Sequence, residues 1–563
     1  MSVENILYNP NMAVLVLPEK SATTTLLSHN PHIRYKKTLA GGCTIVYVNR
    51  AEVDRFVNGV RSYGINLFPS VFGLLGTQEL GASGIPQMQQ THSSLKGSGV
   101  LLGFIDTGID YTNGAFRNED GSSKIRYIWD QTIRGSSPDD FPYGTEYCAA
   151  QLNQALESEN PHEIVPHMDT VGHGTFLASL SGGRAQDGGF AGGAAPDAEI
   201  IAVKLRRARP VDCARSLVPA AQENAFSSDD FMMGVQYIID KATQLQKPVV
   251  ICVSLGSNSG PYDGFTALAG YLQHIAGIVG VAICAAAGNE GLVGHHTHGN
   301  LAAGGEHKNI ELRVGPKPED IYLSICNSAT CKLSVSVASP TGEQVEHLPA
   351  RSGMRYSQML ASARATVDIE YTFPIGLSGA QLTRIKILSA TPGRWAVSLH
   401  TDTDPDGSYN AWLPLTGFIG PETVFVNPSP NYSIVTPANA FGVIACGAYS
   451  SRDNIFAEFS SQGPLRMGAI LPDLVAPGVS VDGTLPDGPG VMSGTSASAA
   501  FTAGACALML QWGIVEKNDT SLNSFRIRRK LIKGCERNPD IEYPNNQWGY
   551  GKLNLFNAFR AMN

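Results

Sequence analysis

A chain of 563 residues, 43% hydrophobic and 16% charged, can bury a large core and has room for two or three domains, which excludes extensive disorder. Its 49 acidic residues against 41 basic ones leave a net charge of −8, which argues against nucleic acid or an anionic membrane surface as a partner. The N-terminus, MSVENILYNPNMAVLVLPEK, lacks a basic start, a long apolar stretch and a small-residue cleavage site. No secretory signal is expected, nor a run long enough to span a bilayer. Several of the ten cysteines (Cys252, Cys284, Cys446) lie inside apolar runs, as buried reduced thiols do. Cys326 and Cys331 are near enough to cross-link or hold metal, but no second ligand pair accompanies them, so plain packing explains them better. These features read as a soluble protein of a reducing compartment, cytoplasmic at synthesis.

In chain order, MAVLVL and CTIVYV predict two strands, and AEVDRFVNGVRSYG a helix, of a separate unit ending near residue 80. The mixed Gly, Ser and Gln of GASGIPQMQQTHSSLKGSG predict an exposed linker without a strong helix signal. GVLLGFIDTGID is then a nearly unbroken apolar strand, the signature of a parallel sheet covered on both faces. AEIIAVKL, KPVVICVSLG, VGVAICAAAGN and FGVIACGAYS repeat it, with helical stretches such as SSDDFMMGVQYIIDKATQLQ between them. Strand alternating with helix indicates a doubly wound α/β domain. Between 304 and 430, NIELRV, KLSVSV, TVDIEYTF, TRIKIL and RWAVSLH alternate apolar with polar residues and predict an inserted antiparallel sandwich or jelly roll. The expected domains are 1–90, 91–303, 304–430 and 431–563.

Asp106 closes the first α/β strand, where catalytic groups of open sheets gather. Alone, its Asp-Thr-Gly is more often simply a turn. His173, in VGHGTFLASLSGG, and Ser496, in VMSGTSASAAFTAGACALML, each open a helix of small residues. Either could be a cap, but such a helix can pass close to the sheet with its first N–H groups facing a reacting carbonyl. Together the three supply what acyl transfer needs: a nucleophile, a base, and a carboxylate that orients the base. The order Asp, His, Ser is one of the known orders of that triad. Asn289, at the strand-end turn AAAGNEG, is placed to donate to an oxyanion. Ser254, Leu255 and Gly256, in SLGSNSG, follow another buried strand and could pair with an extended substrate.

These motifs resemble the subtilases: DTG at 106–108, HGT at 173–175, SLG at 254–256, AAGN at 286–289 and GTSAS at 494–498 occur in order, and WGYGKLNLFNAF looks like a subtilase C-terminus. Within that family, GIDYTNGAFRNEDGSSKIRYIWDQT, ELGASGI and the insertion ending in YNAWLP are similar to the Csp proteases of clostridial spores. The resemblance implies a serine endopeptidase acting on protein or peptide without a cofactor. It also implies a prodomain that serves as chaperone and inhibitor, a jelly-roll insertion and, in sporulating relatives, packaging into the spore and activation of a cortex-lysing proenzyme during germination. Some members of the group have lost triad residues; this sequence keeps all three. Two departures stand out. Ala500 replaces the usual Pro after the serine, which should alter helix entry more than chemistry. RAQDGGFAGGAAPDA is poor in oxygen ligands, which puts the strong calcium site of secreted relatives in doubt. The histidines of GHHTHGN at 294–300 read as a solvated loop rather than a metal site. A self-cut is expected between Gln89 and Ser94, with Gln90 on the acyl side.

Overall fold

The computed structural model describes residues 6–18, 27, 30–58, 67–74, 83, 85–91, 94–186, 190–260, 263–301, 307–376, 378–401 and 407–562. At its centre is a nine-stranded sheet in the order Ile455–Phe456, Ile444–Ser450, Val281–Ala286, Val249–Val253, Leu101–Asp106, Glu199–Lys204, Ile125–Asp130 and Thr145–Cys148, with Leu474–Pro477 pairing Ile444–Ser450. The inner pairs are parallel. Alternate residues feed two cores. Leu102, Phe104, Val250, Cys252 and Cys284 meet the helices His173–Gly182 and Thr495–Leu510. Leu101, Ile105, Ile251 and Ile283 meet Ser228–Leu245 and Ala267–Ala276. Burial on both faces is why these strands are continuous apolar runs. Strand order reverses beside Leu101–Asp106, so its carboxyl end lies at the crevice where α/β sheets place their ligands.

Every residue of Thr495–Leu510 is buried. A Cβ on Gly504 would stand 2.3 Å from Cβ of Ala194, so the helix crosses its neighbour at a distance that only glycine permits. The expectation that no run is long enough to span a bilayer is corrected here: Thr495–Val515 passes by length and composition. In this fold 83% of its apolar window is buried inside the protein, as befits a core helix.

Near the N-terminus, Met12–Pro18 pairs antiparallel with Cys43–Asn49, which also pairs with Ile33–Thr38. One face (Ala13, Leu15, Val46, Val48) packs on Phe56 and Leu67, while the other (Val14, Val16, Ile45, Tyr47) joins the second core of the large sheet. The expected helix is present over Val53–Asn58, preceded by a 3-10 turn over Arg50–Glu52; residues 59–64 lie outside the described residues. The described residues between His296 and Phe425 form two antiparallel sheets of six and five strands around one apolar core. All five strands predicted there are present.

Two expectations are overturned. The exposed linker is instead a helix over Ile85–Thr91, with Ile85 and Met88 buried and Gln89 Nε2 donating to Ala194 O at 2.9 Å. Ile85 and Met88 are three apart, on one helical face, and Pro86 sits in the first turn, where its missing N–H costs nothing. The solvated histidine loop is instead a sheet edge: His296–Leu301 pairs with Gly407–Trp412, and His295 and His296 are buried.

Candidate functional site

The three residues predicted to act together converge at the crevice. Asp106 ends its strand, and His173 is the first residue of its helix. His173 Nδ1 lies 2.7 Å from Asp106 Oδ1. Ser254 Oγ donates to Asp106 Oδ2 at 2.7 Å, and the Thr107 N–H donates to Oδ1 at 2.8 Å. Burial alone would raise the Asp106 carboxyl; the charge of His173 and these hydrogen bonds outweigh it and hold the pKa below the ordinary value. An ionised Asp106 only accepts, so Nδ1 carries the proton between them, and whenever the ring is neutral its lone pair is on Nε2. Ser496 opens the buried helix, and its hydroxyl donates to Ser254 O at 3.3 Å.

The turn bearing Asn289 is fixed from the Ser496 helix. Thr495 donates to Asn289 Oδ1 from its backbone N–H at 3.1 Å and from its hydroxyl at 3.0 Å. A backbone N–H can only donate, so the atom it meets is the carboxamide oxygen and the NH₂ is the other end. Gly288, at φ +112, leaves no room for a side chain: a Cβ would lie 2.6 Å from Val435 Cγ1. Leu255–Gly256 pairs antiparallel with the chain's own segment Val71–Leu74, with Leu255 opposite Leu74 and Gly256 opposite Gly73. The other edge of that segment pairs with Phe226–Ser227. An extended segment of the chain is thus held between two strands, one of which directly follows Ser254.

Sequence reasoning passed over Asp169. Its carboxylate accepts from Thr107 Oγ1, Val171 N and Gly172 N on one oxygen, and from Thr175 N and Oγ1 on the other, at 2.7–3.2 Å. Since Thr107 Oγ1 also accepts the Gly174 N–H, this one buried group ties the turn after Asp106 to the helix start at His173. A polar acid four residues before a helix-opening histidine was the available signal. A second buried pair, His167 Nδ1 to Asp130 at 2.7 Å, lies behind the turn. His167 Nε2 accepts the Ile109 N–H at 3.2 Å, so this ring serves as scaffold. Among the described residues no three His, Cys, Asp or Glu side chains group as a metal site.

The profile of the Subtilase family (Peptidase_S8) matches residues 97–344 and 420–551, more than half of the chain. The chain belongs to the subtilase family. It is therefore a serine peptidase by family, as the spacing of its motifs suggested. It is similar to the solved Clostridium perfringens CspB protease, at 32% identity and a TM-score of 0.76, over 85% of this chain and 96% of that one. It is 32% identical over 145 residues to the human membrane-bound transcription factor site-1 protease, and 29% identical over 198 residues to a subtilisin of Bacillus sp. (strain TA39). These stretches cover 24% and 35% of this chain, and only 13% and 35% of those relatives.

Proposed function

We propose that this subtilase is an active endopeptidase in which Ser496 attacks the scissile carbonyl, His173 Nε2 takes the serine proton and then delivers it to the leaving amine, and Asp106 holds the imidazole in that tautomer and stabilises its cation. Asn289 donates to the oxyanion from its NH₂, because Thr495 holds its oxygen and so turns the amide end the other way. Ser254, Leu255 and Gly256 bind substrate backbone, and Ser254 has a second task in holding Asp106. The observation that carries the proposal is the convergence of Ser254 and His173 on one buried carboxylate beside the Ser496 helix.

The same geometry moves the self-cut. A bond entering such a site must be extended, and 85–91 is a docked helix, while residues 92–93 lie outside the described residues. Val71–Leu74 already pairs with the cleft strands, so we place the cut in the following stretch, residues 75–82, with the segment before it acting as the bound inhibitor. N-terminal sequencing of purified protein tests this. A new N-terminus at 76–83 that vanishes in Ser496→Ala is expected; one at 90–95 would restore the linker reading, and an intact chain would sink self-cleavage.

Similarity to the CspB protease supports assigning this chain to the same setting, limited activation of a cortex-lysing proenzyme in spores, with residues 304–430 as an inserted domain. The occupied cleft also favours a second reading, a protein that cuts itself once and then serves as a scaffold or sensor. Turnover of a second protein separates the two.

A further inference from the structure

Beyond the Val71 end of the cleft strand lies a cavity of about 610 Å³. Its floor continues the cleft: Leu67–Ser70 lead straight into Val71–Leu74, and Ser259 and Gly260 follow from Leu255–Gly256. The remaining wall comes from the helix Pro210–Arg215, from the six-stranded sheet and, in the N-terminal unit, from Arg50, Val53 and Val57. That wall is rich in cations. Arg215, Arg355, Arg384 and Lys386 face Asp368 and Glu370, and Arg50 adds a further positive charge from the N-terminal unit.

The cations are poorly matched by the protein itself. Arg215 approaches Asp212 only at 3.8 Å, and its buried Nη1 has no hydrogen-bond partner. Lys386 Nζ donates to the Arg215 carbonyl at 2.6 Å, and Arg384 to the Thr372 hydroxyl at 3.1 Å, so both are met by neutral oxygens. Asp368 and Glu370 stand opposite Lys386 and Arg384 in the strand register, and Glu370 also lies 3.6 Å from Arg355 Nε, so these two carboxylates face the five cations Arg50, Arg215, Arg355, Arg384 and Lys386. The chain's own occupant brings no carboxylate: the Arg215 guanidinium stands 3.5 Å over the ring of Phe68. Burial, and then repulsion from Arg215, push the Lys386 ammonium below its ordinary value, although Asp368 and Glu370 pull the other way.

We propose that this cavity is an extended subsite that selects protein substrates bearing acidic residues upstream of the segment that pairs with Leu255–Gly256. The inference rests on reading the cleft as a proteolytic site. Any peptide lying antiparallel on Leu255–Gly256 must send its N-terminal side past Gly260 into the cavity, where Arg215 and Arg384 offer donors to a carboxylate at partly desolvated positions. Displacing Leu67–Ser70 leaves those cations in place, because they belong to the helix and the sheet.

The test has two arms. In cis, the uncleaved Ser496→Ala chain carries Phe68→Glu, Phe68→Gln or Phe68→Lys, and thermal unfolding ranks them. Glu above Gln above Lys is expected, with the ranking lost when Arg215→Gln is added; an order indifferent to charge, or unchanged by Arg215→Gln, overturns the proposal. In trans, three quenched fluorescent peptides share residues 71–82 and carry four glutamates, glutamines or lysines in place of residues 67–70. Rates are normalised to fluorophosphonate-reactive enzyme. The expected kcat/KM ratio of the glutamate to the glutamine peptide is about tenfold, with preference shifting towards the lysine peptide in Lys386→Glu. Equal rates overturn the subsite. Absence of both labelling and cleavage with the charge ranking intact in cis would sink the proteolytic reading and leave the cationic site standing.

Discussion

Removing the Asp169 carboxylate should loosen the His173–Asp106 pair without touching it. Five donors converge on that group, three of them backbone N–H groups, of which those of Gly172 and Thr175 are the shorter at 2.8 and 2.9 Å. Hydroxyls can rotate to other partners; these backbone donors cannot. In Asp169→Ala each loses its acceptor in a buried place, at about 1–3 kcal/mol apiece, so a total of roughly 3–5 kcal/mol is expected. Asp169→Asn keeps one oxygen for Thr107 and Gly172 but sets an NH₂ against the Thr175 N–H. The Thr175 hydroxyl already accepts the Asp110 N–H, so this mismatch should cost about 1–3 kcal/mol. Melting of the Ser496→Ala form, which cannot digest itself, should fall by on the order of 5 °C for Ala and 2 °C for Asn. In the active background, fluorophosphonate labelling should slow in the same order, because Thr107 and Gly174 no longer share a fixed anchor. An Asp169→Ala protein with wild-type melting and labelling rates would refute the argument.

Asn289→Ala should preserve labelling yet lower kcat by roughly a hundredfold or more, measured on a peptide substrate; a loss confined to KM would remove Asn289 from the oxyanion role. Gly174→Ala would place a Cβ 2.1 Å from Gly108 O, which the turn cannot yield without parting His173 from Asp106, so activity should drop at least about tenfold in a folded protein judged by circular dichroism. His296 is held neutral by burial, its pKa pushed down to about 3. The unfolded chain takes up that proton near pH 6.5 and the folded one only near 3. Its contribution is therefore complete above about pH 6.5 and is lost as pH falls towards 3, at about 1.4 kcal/mol for each pH unit crossed. His296→Gln should flatten that part of the stability profile, and an unchanged slope between pH 6.5 and 4 would contradict it. EDTA should shift melting little, since Lys124 Nζ already donates to the carbonyls of Gly182 and Pro196 beyond the His173 helix. A large EDTA effect would point to a bound metal.

What the sequence determined was whatever short-range pattern encodes. Continuous apolar strands followed from burial on both faces, alternating ones from burial on one, and the motif residues Asp106, His173 and Ser496 from their places at strand and helix ends. Ile33–Thr38 escaped because its run, IRYKKT, buries little and carries three cations. The Ile85–Thr91 helix escaped because its stability comes from Ile85 and Met88 meeting a core assembled from residues far along the chain. Tertiary structure alone decided which partners these residues have. Asp169 matters because five donors fold onto it, Ser254 because it reaches Asp106 from 148 positions away, and Val71–Leu74 because two distant strands frame it. Propensity is a property of neighbours along the chain, whereas desolvation and hydrogen-bond saturation belong to neighbours in space, so the candidate residues were legible in the sequence and their supports were not.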